Sequence, residues 1–374
     1  MVTDVLSRST NLRSGATSRT GNNADTRHPG DRAVQIWLLC IAILVFAMVV
    51  VGGATRLTDS GLSITEWLPL LGAIPPLSDA DWQLAFAKYK QIPEYTEINA
   101  GMSMAEFQFI YWWEWAHRFL GRLIGLAFAL PLAFFWLKGW IRPGLTPKLI
   151  GVLALGGLQG FFGWYMVQSG LSERVDVSHY RLALHLTTAF VILALVVWLA
   201  LSLSPTEGRI RLHTIPNTQA SIAIAILALM FLQVVLGAFV AGLKAGLTYN
   251  TWPLMDGDFI PTGLYSLSPI WTNITENITT VQFNHRMTAY VLLALVIWHA
   301  VSIWRRSDDE RVVTSVLALT AGVLLQAGLG IWTLLAAGQV GHIPIGLGLV
   351  HQGGAALLLA LTVWHCHRLY RAMA

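Results

Sequence analysis

Four histidines occupy matching places in the two halves of this 374-residue chain, each near one end of an apolar segment. His117 and His185 lie in the first half, and His285 and His351 follow them at offsets of 168 and 166 residues. A nearly constant offset indicates an internal repeat. Two helices of each half would then present one imidazole each to the interior of a helical bundle, which is an arrangement that binds a metal-centred macrocycle.

The composition indicates the environment of such a bundle. Of the 374 residues, 55% are hydrophobic and 12% are charged, and the mean hydropathy is +0.58. Soluble domains carry about 25% charged residues, so these values are typical of an integral membrane protein. Apolar runs of about 20 residues, the length that crosses a bilayer as a helix, predict eight transmembrane helices. Their approximate bounds are 34–54, 116–137, 148–168, 181–203, 219–241, 285–304, 312–336 and 346–367.

The charged residues predict the orientation of these helices. With eight spans both termini lie on one side, and that side holds 15 of the 24 Lys and Arg residues and 7 of the 20 Asp and Glu residues. The remaining 9 basic and 13 acidic residues fall on the other side. Basic residues concentrate on the cytoplasmic side of membrane proteins. We therefore predict cytoplasmic termini in a cell inner membrane, with the histidines toward the periplasm; a mitochondrial inner membrane is the alternative.

The repeat divides the chain into two tandem units. Each unit has a long outer loop after its first span, with Trp67-Leu68-Pro69 in one and Trp252-Pro253-Leu254 in the other, and a glutamine in its third span, Gln159 or Gln326. We predict an all-α integral membrane protein of two pseudo-two-fold-related four-helix bundles. The predicted segments are a disordered cytoplasmic tail at 1–33, an N-terminal bundle at 34–203, a linker at 204–218 and a C-terminal bundle at 219–370.

The donor set of each half suits haem iron, which takes two axial imidazoles. Zinc suits it less well, because neither half offers the third and fourth protein ligands of a closed zinc site. Cys40 and Cys366 lie in the two terminal spans, so we predict neither a disulfide nor a thiolate metal site. The alternative is that the four histidines are merely polar residues near the lipid headgroups. Their repeat-matched positions favour ligation.

An acidic residue distinguishes the first half from the second. Glu114 lies three residues before His117 and therefore on the same helix face, whereas Gln282 holds the matching place before His285. A carboxylate beside a haem in a low-dielectric pocket can take a proton or stabilise a developing positive charge. The alternative is a surface glutamate that the dipole of the helix N-terminus favours. The difference predicts that the first half performs chemistry and that the second holds a permanent cofactor.

Two arginines directly follow the first histidine of each half. Arg118 and Arg286 are placed to pair with the propionates of a haem at the outer surface. The alternative is that their side chains extend from the helix ends toward the lipid headgroups.

Further histidines extend the possible sites. His299 and His365 each lie 14 residues after a ligand candidate, which is about 21 Å along the same helix face. They could bind a further haem, or they could belong to a basic collar at the cytoplasmic surface. His179 and His342 precede the fourth and eighth spans, where we expect solvated loop residues; the alternative is that they tune or gate the site.

Five ordered segments resemble the haem A synthase family. They are EWAHRFLGRLIG, the Gln-Gly stretch of the third span, HYRLALHLTTA, FNHR and GLVHQGGAALLLA, and the resemblance covers about residues 34–370. Family members are oxidoreductases that convert the C8 methyl of haem O to a formyl group with oxygen from water, which gives haem A for terminal oxidases. Because the first outer loop lacks a cysteine pair that some members have, the chain resembles the proteobacterial and mitochondrial branch.

The resemblance implies a role for each matching residue. His117 and His185 match the ligands of the haem substrate, His285 and His351 match the ligands of a resident haem b, and Glu114 matches the acid that the family requires. It also implies haem O synthase and oxidase assembly factors as partners within the lipid bilayer, a homo-oligomer or hetero-complex, and no nucleic acid.

Two other functions fit parts of the pattern. A diheme b-type electron-transfer cytochrome of a quinone-linked complex would use the same ligands and make no new porphyrin. A transporter built from repeats would have unwound helices and a binding site at the membrane midplane, and the position of the histidines near the outer ends disfavours it.

Overall fold

The structure, a computed structural model, describes residues 28–68, 71–171, 174–204 and 217–373. Within these ranges eight helices are long and apolar enough to cross a membrane. They are α1 (Asp31–Leu57), α3 (Met104–Leu137), α4 (Thr146–Gln168), α5 (His179–Ser202), α6 (Asn217–Gly242), α8 (Ile278–Arg306), α9 (Glu310–Val340) and α10 (Ile345–Met373). Two shorter helices, α2 (Asp79–Tyr89) and α7 (Asn273–Glu276), lie in the long loops that the predicted topology places on the outer side. The predicted all-α membrane class with eight spans is confirmed.

Some predicted features fall outside the described residues. Most of the predicted tail (residues 1–27) and most of the predicted linker (residues 205–216) lie outside the described residues. Pro69 of the first tryptophan motif also lies outside them.

Two of the spanning helices begin well before their apolar runs. At the start of α3, the Ser103 hydroxyl accepts a hydrogen bond from the backbone N–H of Glu106, whose carboxylate accepts from the Ser103 N–H at 2.8 Å. At the start of α8, the side chain of Asn277 accepts from the N–H of Thr280. These caps satisfy N–H groups of the first turn. Both helices therefore extend beyond the apolar segment on the outer side.

The spanning helices pack as two rings that share a central contact. In the first half α1 packs against α3 and α5, and α4 packs against α5 and touches α3. In the second half α6 packs against α8 and α10, and α9 packs against α8 and α10. Between the rings, α5 packs against α6, and α10 packs against α1 and α5. Leu38, Val196, Ile226 and Leu359 are fully buried in this centre, so apolar packing joins the halves.

A small outer layer covers the first ring. Its described residues are 58–68 and 71–103, and its apolar side chains pack around Tyr89 of α2 and Phe107 of α3, which are both fully buried. Ser78 begins α2 with a capping box, and Phe86 stacks on Phe107 with ring centroids 4.8 Å apart. The outer extension of α3 is therefore the support on which this layer folds.

One carboxyl group is buried within the outer layer. Glu94 is only 6% exposed, and the Tyr89 hydroxyl donates a hydrogen bond to its Oε2 at 3.1 Å. The Asn99 amide in turn donates to the Tyr89 hydroxyl at 2.7 Å. Burial disfavours the charged form, and it raises the pKa of Glu94 to about 8. Glu94 is therefore protonated in the folded layer at neutral pH.

This shift predicts a pH dependence of the outer layer. Between the ordinary carboxyl pKa of 4.5 and a folded pKa of about 8, the unfolded segment has lost its proton and the folded segment has kept it. The free energy of local unfolding should therefore fall as the pH rises through this window and level off above it. Glu94→Gln, which stays neutral, should remove this decline.

Hydrogen exchange of residues 85–99 at pH 5.5 and 8.5, corrected for intrinsic rates, measures the effect. Glu97→Gln is the matched control, because Glu97 is exposed in the same segment. An unchanged pH dependence in Glu94→Gln would contradict the role of this carboxyl group.

Candidate functional site

The structure brings together the histidines of each predicted pair. His117 on α3 and His185 on α5 lie close enough for their charges to interact. The same holds for His285 on α8 and His351 on α10. All four side chains are partly buried. Each half therefore contains two imidazoles from separate helices in one interior.

In the first half each imidazole packs against a glycine of a neighbouring helix. A Cβ placed on Gly52 of α1 would lie 3.0 Å from Nε2 of His117, and one on Gly163 of α4 would lie 3.1 Å from Cε1 of His185. Carbon atoms in good contact are about 3.5–4.0 Å apart. Glycine therefore lets the imidazole come this close to the helix backbone, and a Cβ atom would require the ring to shift.

The second half repeats this arrangement. A Cβ on Gly237 of α6 would lie 3.1 Å from His285, and one on Gly330 of α9 would lie 2.9 Å from His351. In both halves, two helices provide the imidazoles and the other two provide the glycines. Sequence reasoning did not single out these glycines, although a glutamine stands four residues before three of them.

These glutamines bind the backbone of three ligand candidates. Each side-chain N–H donates to the carbonyl oxygen of the histidine, and the amide nitrogen also lies within 3.5 Å of a ring nitrogen. The donor and acceptor residues are Gln159 and His185 (3.0 Å), Gln233 and His285 (3.0 Å), and Gln326 and His351 (2.8 Å). Helix α1, which provides the fourth glycine, differs because Met48 stands four residues before Gly52. His117 is therefore the one candidate without a glutamine at this place.

The helix α1 contacts both sites. Gln352, which follows His351, donates a hydrogen bond to the Val49 carbonyl at 2.7 Å. The same amide packs on Gly53, where a Cβ would lie 2.7 Å from its Oε1. Gly52 and Gly53 are thus neighbours in sequence, and they contact different sites.

The residues present fit haem. The Nδ1 atoms of His185 and His285 are buried and have no hydrogen-bond partner among the described residues, and such nitrogens are suited to a metal. In the same part of the chain, no group of three or more His, Cys, Asp or Glu side chains could hold a bare metal ion. Pairs of imidazoles suit an iron whose porphyrin supplies the remaining ligands.

The Glu114 carboxylate is fully engaged. Glu114 is 2% exposed, and its Oε1 accepts a hydrogen bond from the Arg118 guanidinium at 2.6 Å. Its Oε2 accepts from the Ser63 hydroxyl at 2.7 Å and from the backbone N–H of Ile64 at 2.8 Å. Glu114 therefore holds the outer loop against α3, one turn from His117.

Arg118 binds the same loop, at residues 63–67, which we call the first strap. Its guanidinium donates to the carbonyl oxygens of Ile64 at 2.8 Å and Glu66 at 3.1 Å. Carbonyl groups of irregular backbone need such donors when water is excluded. The pairing of Arg118 with a haem propionate stays a prediction, and in this structure its donors are directed to the strap and to Glu114.

The second half has an equivalent strap at residues 248–252. Arg286 donates to the carbonyl oxygens of Tyr249 at 2.6 Å and Thr251 at 2.9 Å. Both acceptors follow those of the first strap by 185 residues. Gln282, at the place of Glu114, also donates to the Tyr249 carbonyl at 3.0 Å. The repeat therefore includes the outer loops, and Arg286, like Arg118, donates hydrogen bonds to the carbonyl groups of its strap.

His299 and His365 contact one another directly. Their Nε2 atoms are 2.9 Å apart, both residues are fully buried, and the Ser315 hydroxyl lies 2.8 Å from Nδ1 of His365. The two axial nitrogens of a haem iron lie on opposite sides of the metal, and at about 2.0 Å from it each they would be about 4 Å apart. The pair therefore has the geometry of a hydrogen bond and leaves no room for a haem between the rings.

The two loop histidines have different surroundings. His342 is exposed, as expected. His179 is only 3% exposed, so the expectation of a solvated residue is wrong for it. It begins α5, packs on Gly242 of α6, and lies 3.6 Å from the Glu276 carboxylate. It belongs to the contact between the two halves.

The close approach of imidazole and glycine predicts the effect of added side chains. Gly330→Ala should displace His351, and overpacking of about 1–3 kcal/mol corresponds to haem binding about 5- to 150-fold weaker in the second site. Gly163→Ala should act in the same way on the first site through His185. The haem content of purified protein, measured by pyridine haemochrome and chromatography, tests both.

Gly151→Ala is the matched control, because a Cβ on this α4 glycine would meet nothing within 4 Å. Parent-like haem content and spectra in Gly330→Ala would contradict the proposed contact.

Comparisons with known proteins identify the family of the chain. A family model described as "Cytochrome oxidase assembly protein" matches residues 35–363. A protein of Parvibaculum lavamentivorans named "Heme A synthase" is 52% identical over 337 residues, which are 90% of this chain and 94% of the relative. Proteins with the same name from Chelativorans sp. and Brucella ovis are each 51% identical over 89% of the chain and over 90% and 91% of their own lengths. The chain therefore belongs to the haem A synthase family.

Proposed function

We propose that this protein is a haem A synthase, an oxidoreductase that converts the C8 methyl of haem O to a formyl group. The conversion adds one oxygen atom from water and releases four protons and four electrons. Family membership and the imidazole pair in each half support the proposal. The product, haem A, would serve terminal oxidases.

In this proposal the two rings of helices are tandem four-helix bundles. Residues 34–203 form the N-terminal bundle, which binds the substrate, and residues 219–370 form the C-terminal bundle, which holds the cofactor. The separate helix contacts within each ring and the equal spacing of the carbonyl acceptors in the two straps support this division. The tail at 1–33 and the linker at 204–218 lie on the cytoplasmic side.

The ligand roles follow the asymmetry between the halves. His117 and His185 would bind haem O, and His285 and His351 would hold haem b. Both ligands of the second pair have a glutamine on their backbone, whereas His117 has none. Two histidines whose backbones are both hydrogen-bonded to a glutamine suit a permanent cofactor. A pair in which only one histidine has this hydrogen bond suits a substrate that must leave.

The resident haem supplies an iron that takes up electrons one at a time. The chain contributes the orientation of its ligands. Gln233 and Gln326 fix the backbone of the two histidines from neighbouring helices, and Gly237 and Gly330 set the depth of each ring. The electron acceptor beyond this site would be a further component of the membrane.

Glu114 is the proposed catalytic acceptor of protons at the first site. The Ser63 hydroxyl donates to its Oε2, so a proton that reaches Ser63 can pass to the carboxylate as the hydroxyl proton is handed on. The Arg118 ion pair keeps a compensating charge beside it. This arrangement gives Glu114 two roles, in proton transfer and in holding the first strap.

Glu114→Gln tests the proton role. The amide oxygen can still accept from Ser63 and Ile64, and Arg118 can still donate to the strap carbonyl groups. The amide cannot take up a proton, and its NH2 group cannot accept from Arg118. We expect both haems to remain bound and the rate of haem A formation to fall by about 100-fold or more, the usual contribution of a positioned acid or base. Extraction of the haems and reverse-phase chromatography measure haem O, haem A and haem B together.

Glu106→Gln is the control, because Glu106 is an exposed carboxylate on the same helix. Haem A formation at the parent rate in Glu114→Gln would refute the assignment to Glu114. If the parent protein contained haem B alone and made no haem A, the diheme electron-transfer cytochrome would be the better reading.

We also propose an orientation in the cell inner membrane, with both termini cytoplasmic and both haem sites toward the periplasm. The excess of basic residues on the side of the termini supports it. A fluorescent protein fused after Ala374 should fluoresce, and alkaline phosphatase inserted in the outer loop before α8 should be active. The reverse pattern would overturn the orientation.

Haem O synthase and oxidase assembly factors are the proposed partners, and the chain would act as a homo-oligomer or within a hetero-complex. The support is chemical, because haem O and haem A partition into lipid and are best transferred within the bilayer. Co-purification from detergent-solubilised membranes measures these contacts.

A further inference from the structure

The two halves differ at the contact between their second and third spanning helices. In the second half α8 and α9 pack along one another, whereas α3 and α4, which hold the same places in the first half, make far fewer contacts. Only 6% of the most apolar stretch of α4 is buried, against 28% of that of α9. The first ring is therefore loosely closed on one side.

The sequence explains this difference on α4. The glutamines and glycines of the site align α4 with α9 at an offset of 167 residues, and this register places Gly156 opposite Val323. Val323 is 4% exposed and belongs to the central core. A Cβ on Gly156 would meet nothing within 4 Å. The aliphatic side chain that fills the second half is missing from the first.

The helix α3 shows the same replacement. The register of the first histidines, at an offset of 168, places Gly125 opposite Leu293. Leu293 packs against the central core, whereas a Cβ on Gly125 would also meet nothing within 4 Å. Each of the two helices therefore has a glycine beside open space where its counterpart has a branched side chain.

The open position at Gly156 lies on the face of α4 that contacts the first site. Gly156 lies seven residues before Gly163 and thus on the same face of α4, and Gly163 contacts the His185 ring. The Nδ1 atom of His185 is buried and has no hydrogen-bond partner among the described residues. An imidazole nitrogen without a hydrogen-bond partner among the described residues therefore lies where this face of α4 meets the interior of the bundle.

The outer end of the opening is covered. Trp67 of the first strap approaches Trp164 of α4, with ring centroids 6.3 Å apart, and Arg118 anchors this strap from α3. Leu126 and Leu130 on α3 and Leu158 on α4 are exposed. The gap is thus shielded from the outer aqueous side and bordered by surface that faces lipid.

We propose that the gap between α3 and α4 is a lateral portal through which haem O enters the first site from the lipid phase and haem A returns to it. The inference rests on the proposed function and adds the route of the substrate. Haem O carries a long farnesyl-derived chain, so its natural source is the bilayer. The packed contact of α8 and α9 explains why the resident haem of the second half would not exchange.

The test transfers the closing side chains of the second half to the first. In the variant Gly125→Leu/Gly156→Val, both replacements have a higher helix propensity than glycine, so the helices should form. Detergent-purified protein is reconstituted in phosphatidylcholine vesicles that contain haem O, and haem O bound per protein is followed over time. We expect the initial loading rate to fall at least tenfold and the haem B content to stay at the parent level.

Gly157→Leu is the matched control. Gly157 also has no atom within 4 Å of its Cβ position, but its counterpart Leu324 is 51% exposed, so this leucine should face lipid and leave loading unchanged. The reverse variant, Val323→Gly, should speed the loss of haem B from the second site to apomyoglobin.

The outcomes distinguish the portal from the function. Loading of the double variant at the parent rate, with its haem B retained, would overturn the portal and leave the synthase proposal intact. A parent protein that binds no haem O would refute the proposed function itself. Retained haem B in the double variant shows that any slow loading does not come from misfolding.

Discussion

The closeness of an imidazole to the backbone of a neighbouring helix is the constraint on which this structure depends. Each of the four ligand candidates lies against a glycine on the adjacent helix, at a distance at which a Cβ atom would be 2.9–3.1 Å from the ring. A bundle that must hold a flat macrocycle between two helices has to keep its other two helices close to the ligands. The glycines make this possible, and the glutamines one turn away fix the backbone of three of the histidines.

The duplication extends further than the ligands. Both straps present carbonyl groups to an arginine that follows the first histidine of the half, and in each strap the two acceptors are two residues apart. Against this shared background, the differences stand out as local substitutions. Glu114 replaces a glutamine, Met48 replaces another, and two glycines replace core aliphatic residues. All of these changes fall in the half that we assign to the substrate.

The sequence predicted the membrane-spanning part well, for a simple physical reason. A run of about 20 apolar residues has little choice but to cross the bilayer as a helix. The starts of α3 and α8 were predicted too late, because hydropathy does not register polar caps such as Ser103 and Asn277. The helices continue beyond the lipid where their first turns are satisfied by side chains.

The site was predicted less completely. The histidine spacing indicated which residues would meet, since it reflects a repeat that the chain preserves. The role of Arg118 in holding a strap was not foreseen, because the demand of loop carbonyls for donors depends on where the loop lies. Gly52 and Gly237 were missed for a related reason, because the need for a missing side chain arises only from the distance between two helices.

Helix α1 belongs to the first ring in sequence, yet its adjacent glycines pack against the proposed sites of both halves, Gly52 at His117 and Gly53 at Gln352. Consecutive residues of a helix differ by 1.5 Å along its axis and by about 100° around it. A shift or rotation of α1 that changes the contact of Gly52 with His117 therefore also changes the contact of Gly53 with Gln352. The two halves of the duplicated chain are consequently no longer interchangeable modules. A change at one site that displaces α1 would therefore also alter the contact that α1 makes at the other site.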